Sequence, residues 1–187
     1  MEISQKQIND AYAVASPEQK KVLDALFGKQ KDTRPVIERI KTLDDAINEL
    51  GEDHPYVLSY RNYEFEGPDD ITAYLKLRII VAAINEGWEP KFVKDECRWA
   101  PYFVLYTNDE LDKMNEKDKA KICRVVGRSV SSASAYGGLA YAYASYASSH
   151  SYTGNGSRLA FKNEDLAKYA GQQFIEIYRD FMIQLHE

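Results

Sequence analysis

The chain has 187 residues, 44% of them hydrophobic and 12% aromatic, and a net charge of −5. A composition this apolar excludes a disordered chain, and a chain this long buries roughly 70% of its unfolded surface without needing a disulfide or a metal. The acidic balance disfavours a broad basic footprint for nucleic acid while leaving room for a local one, and no run of residues is long enough for a membrane span.

Nothing resembling a secretory signal opens the sequence, so a soluble, cytoplasmic protein is expected. Cys97 and Cys123 lack a CxxC partner or a neighbouring His, so reduced thiols are expected and no metal or cofactor is called for.

Ile8, Ala11, Tyr12 and Ala15 recur at helical spacing. Ser16-Pro17-Glu18-Gln19 then reads as a capping box with Pro at the first helical position. The helix it starts runs to Gly28, with Val22, Leu23, Leu26 and Phe27 expected as its buried stripe. Pro35 starts a helical turn carrying Val36, Ile37 and Ile40. Thr42, with Asp45 three residues on, caps a helix that Gly51 stops, and Pro55 to Phe65 reads as another. Asp69 to Glu86 is the strongest helix. Its second half is almost wholly apolar, which predicts a position in the middle of the domain.

Trp99 to Tyr106 reads as a strand that is apolar on both faces, and Pro101 restricts its pairing on one side. Residues 108–121 are highly charged and fit a solvated helix or an irregular excursion equally well. Residues 122–130 alternate as a second strand, 139–148 as a third, and 157–162 as a return strand after the turn residues Thr153-Gly154-Asn155-Gly156. The phase slip at Tyr146 predicts a bulge near Ser145. Asn163 caps one long closing helix with a stripe from Leu166 to Leu185.

The expected fold is therefore a single α+β domain over 1–187. Residues 1–87 are mainly helical, and 88–187 form an antiparallel sheet of three to four strands (99–106, 122–130, 139–148, 157–162) under a long C-terminal helix.

The 29 residues Ser129 to Ser157 contain no Lys, Arg, Asp or Glu, and comprise nine Ser, six Ala, five Tyr and four Gly with a few others. Tyrosine set among small residues is the composition of a recognition surface, because the ring supplies contact area at low entropic cost. The bland account is a sheet packed under helices. The candidate binding residues are Tyr141, Tyr143, Tyr146, Tyr152, His150 and Arg158. The paired acids Asp44-Asp45 and Asp69-Asp70 sit where helix capping explains them, and no residue is assigned a catalytic role.

The segments VLDALFGKQ, ITAYLKLRIIVAAINEGWEP, RWAPYF and GSRLAFKNEDLAKYAGQQFIEIYRDF resemble a group of proteins of intestinal Bacteroidetes genomes and their phages or mobile elements. That group carries no assigned activity. The resemblance implies an accessory, binding role and brings no catalytic residues with it.

Three readings follow. The first is a non-enzymatic binding module that presents the Tyr/Ser/Gly face to a protein partner or to itself. The second is a small-ligand or enzymatic pocket between sheet and helices, containing His150, Tyr143 or Cys123. The third is a single-stranded nucleic-acid binder with Arg124, Arg128, Arg158 and Lys162 on the phosphates.

Overall fold

The computed structural model describes residues 3–28, 32, 34–63, 69–91, 93, 96–119, 125–126, 138–147 and 157–183. They fall in two compact units, Met1–Pro35 and Val36–Glu187.

The first unit pairs α1 (Gln5–Val14) with α2 (Pro17–Phe27). Both helices open in capping boxes. The Ser4 N–H donates to Gln7 at 2.9 Å and the Ser16 N–H to Gln19 at 2.8 Å, while each serine hydroxyl accepts the backbone N–H three residues on. The Tyr12 hydroxyl lies 2.8 Å from Asp24 and joins the two helices. Of the stripe expected to be buried, Val22, Leu26 and Phe27 are exposed and Leu23 is half-buried. Two short helices offer each other only one contact face, too little to cover four apolar side chains.

The second unit is organised on α6 (Asp69–Ile84), against which pack α4 (Leu43–Leu50), α5 (Pro55–Arg61) and α10 (Ile175–Met182). Leu77, Ile79, Ile80 and Ile84 are completely buried, and each such side chain contributes roughly 1.5–3 kcal/mol by leaving water. The apolar second half of the sequence segment thus forms the centre it predicted. Just past the helix the backbone turns through Glu86 (φ +51) and Gly87 (φ +82). A left-handed conformation at a non-glycine residue costs on the order of 1 kcal/mol. Glu86 is held there by Arg39 at 2.7 Å, from the short helix α3 (Val36–Arg39), and by Lys162 at 3.0 Å.

The α+β domain built on three to four strands is not what forms. The described residues are mostly helical, and their extended part is a narrow ribbon, β1 (Arg98–Tyr106) paired antiparallel with β3 (Gly138–Ala147). Of the expected strand 122–130, Val125–Val126 forms β2, paired on the far side of β3, and the other positions lie outside the described residues. The expected strand 157–162 is a 3-10 turn at Ser157–Leu159 followed by a single bridge between Phe161 and Trp99.

The charged run 108–121 contains two short helices, α7 (Asn108–Lys113) and α8 (Glu116–Lys119), the first opened by a Thr107–Glu110 capping box.

The expected single closing helix is two, α9 (Glu164–Gln173) and α10, broken at the buried Phe174. α9 rests on β1 and β3 whereas α10 rests on α6. One apolar stripe therefore changes support partway along, and the backbone turns with it. The start at Asn163 is as expected, its side chain accepting the Leu166 N–H at 3.0 Å.

Candidate binding surface

The ribbon is rooted at one end. Phe161, fully buried, exchanges both backbone hydrogen bonds with Trp99, at 2.8 and 3.0 Å. In an extended segment the neighbouring residues direct their backbone groups to the other edge. There the Asn85 side chain takes them both: its amide donates to the Ala160 carbonyl at 2.8 Å and its oxygen accepts the Lys162 N–H at 3.1 Å. One buried side chain at the end of α6 thus stands in for a neighbouring strand. No sequence pattern singled out Asn85, because a lone Asn after an apolar helix reads as a helix terminus.

From this root β1 runs past Trp99 and Phe103, which pack on the main core, with Phe103 5.0 Å from the Tyr178 ring. It then emerges at Val104 and Leu105, which are 38% and 57% exposed. Successive strand residues point to opposite faces, so β1 is open on both faces here.

Of the predicted site residues, Tyr141, Tyr143 and Tyr146 lie in β3, with Cα positions opposite Phe103, Tyr102 and Trp99. The partner of β1 jumps from Tyr143 to Tyr141 between Tyr102 and Phe103, which leaves Ala142 as the extra residue. The bulge expected near Ser145 is thus at Ala142. Tyr102 and Phe103 belong to opposite faces, so the bulge separates positions 141 and 143, which plain alternation places together. Arg158 is exposed in the 3-10 turn. Tyr152 and His150 lie outside the described residues, as do Cys123, Arg124 and Arg128. The structure therefore brings three of the six candidates onto one strand.

The perturbed titrating groups have structural causes. Hydrogen bonding from the Thr42 side chain, then from the backbone of Lys41 and Thr42, holds the Asp45 carboxyl below its usual range. The Thr107 backbone and hydroxyl do the same for Glu110. Burial pushes Tyr178 and Tyr169 upward, the latter with its hydroxyl 2.7 Å from the Ile40 carbonyl. His54 is a helix cap whose Nδ1 accepts the Tyr56 N–H at 3.2 Å. Cys97 is an exposed thiol. Lys162, one of the cations assigned to phosphates in the nucleic-acid reading, is paired with Glu86.

Among the described residues, no group of three His, Cys, Asp or Glu could hold a metal ion, and no helix is long and apolar enough to cross a membrane. Comparison with family models, curated proteins and solved structures returned no match.

Proposed function

We propose that the protein is a cytoplasmic, non-enzymatic binding module, an accessory factor of the kind the phage and mobile-element resemblance implies. It engages a protein partner, or a second copy of itself, through the far part of the β1–β3 ribbon. The carrying observation is the exposure of Val104 and Leu105 on successive positions of a strand whose first half is packed into the core. Apolar side chains open on both faces of one strand supply the desolvated centre of an interface. The Tyr-rich strand β3 runs directly beside them, with Ala140 and Leu139 opposite Val104 and Leu105.

The test is affinity capture from source-cell lysate followed by reconstitution with the purified partner, alongside sedimentation of the protein alone to score self-association. Wild type is compared with Val104→Asp/Leu105→Asp and with Tyr141→Asp/Tyr143→Asp. The first pair is expected to abolish binding while keeping the helical signal. A folded Val104→Asp/Leu105→Asp protein that binds and self-associates like wild type removes the ribbon from the reading.

A further inference from the structure

Trp99 exchanges both of its backbone hydrogen bonds with Phe161, so its N–H and C=O lie on the edge of β1 that faces away from β3. Backbone groups alternate between the two edges of a strand, and the alternation in β1 is unbroken because the extra residue of the bulge belongs to β3. Pro101, Phe103 and Leu105 therefore address the same outer edge as Trp99. Pro101 has no N–H to leave unpaired there. Leu105 turns a donor and an acceptor to that edge, and among the described residues neither has a backbone partner.

Donors and acceptors set at strand spacing are matched by another extended backbone. The exposed side chains favour the same occupant. Val104 and Leu105 point to opposite faces of the ribbon and are 38% and 57% exposed. A helix or a flat surface laid on either face would cover one of them, whereas a strand added along the edge flanks both. Sheet edges are commonly guarded by charged side chains. From Trp99 to Asn108 the sequence has none, so nothing along this edge repels a second copy, although each chain carries a net charge of −5. An antiparallel edge is also complementary to itself, since a two-fold axis sets the donors of one copy against the acceptors of the other.

We propose that β1 pairs antiparallel with β1 of a second copy across a two-fold axis, joining the two ribbons in one continuous sheet. The Leu105 N–H and C=O cross to the neighbouring strand, and Val104 and Leu105 leave water on the two faces. The pairing rests on the ribbon being the binding surface, as proposed above, and adds which atoms bind and what they meet.

Sedimentation equilibrium of the full-length protein alone should show a monomer–dimer equilibrium, with a dissociation constant on the order of 100 μM, as befits a small transient interface. Hydrogen exchange of the Leu105 N–H should slow several-fold from dilute to concentrated protein, while the Val104 N–H, which faces β3, should not respond. Leu105→Pro removes the crossing donor without touching the ladder to β3, and should weaken dimerisation at least tenfold with the helical signal unchanged. If that variant does not fold, the exchange of Leu105 in the wild type decides. A wild type that stays monomeric when concentrated, a Leu105 N–H indifferent to concentration, or a folded Leu105→Pro protein that dimerises like wild type overturns the pairing. In any of these cases, loss of a reconstituted protein partner by folded Val104→Asp/Leu105→Asp would still uphold the ribbon as the binding surface, which tells the two failures apart.

Discussion

Asn85 and Ala160 are 75 residues apart, yet the Asn85 side-chain amide donates to the Ala160 carbonyl at 2.8 Å, at a residue only 2% exposed. With the Lys162 N–H on its oxygen, the side chain closes the outer edge of the segment that Trp99 closes on the inner edge.

Asn85→Ala leaves a carbonyl and an N–H without partners in the interior. The expected loss is about 2–4 kcal/mol, read from urea midpoints. Asn163→Ala, which removes the exposed cap of α9, should cost only about 1 kcal/mol. Equal losses from the two substitutions would show that the Asn85 bracket does not hold the ribbon root.

Tyr178 is buried against Phe103, and among the described residues its hydroxyl has no hydrogen-bond partner. Tyr178→Phe removes a group that left water for nothing, so stability should stay unchanged or rise by up to about 1 kcal/mol. Tyr178→Ala should instead cost about 3–5 kcal/mol through the cavity it opens. A clear loss on Tyr178→Phe would mean the hydroxyl is satisfied in solution.

The Arg39 side chain is 5% exposed and pairs with Glu49 and Glu86, which reach water more freely. Arg39→Gln should cost about 1–2 kcal/mol, less than a wholly buried pair, because the abandoned carboxylates can rehydrate. Combined with Glu86→Gln, the loss should fall short of the sum of the singles, since each substitution alone already removes the Arg39–Glu86 pair.

The Tyr12 hydroxyl is pushed up to about 12 from 10.0, by partial withdrawal from water and then by its hydrogen bond to Asp24. A raised value in the folded state favours folding fully below pH 10 and ceases to as pH climbs to about 12. Helix content of the Met1–Pro35 unit should fall over that window, and Tyr12→Phe should flatten the dependence. At the acid end the sign reverses. The lowered carboxyls of Asp45 and Glu110 stabilise above their ordinary values of 3.8 and 4.5 and lose that contribution as pH falls below them. Thr42→Val and Thr107→Val should shift acid unfolding to higher pH.

Much of the helical framework was legible because its signals are local. Ser16 with Gln19, Thr42 with Asp45, and Asn163 before Leu166 each place a hydrogen-bond acceptor within three residues of the N–H it serves. Thr107 and Glu110 have the same spacing, which marks the start of α7 that composition left open. The candidate site was legible only in part. Tyr141, Tyr143 and Tyr146 were placed on one strand, but period-two counting cannot locate an extra residue at Ala142, which depends on what lies opposite.

The sequence alone determined where α2, α4 and α9 begin, and that the largely apolar second half of α6 must lie at the centre. Those outcomes rest on capping and periodicity within about one helical turn. Only the tertiary structure decided that Phe161 makes one bridge rather than a strand, and that the closing helix turns at Phe174. It also decided that the Arg78 guanidinium lies over the Tyr56 ring. In each case the local preference is compatible with more than one outcome, and the partner that settles it comes from another element.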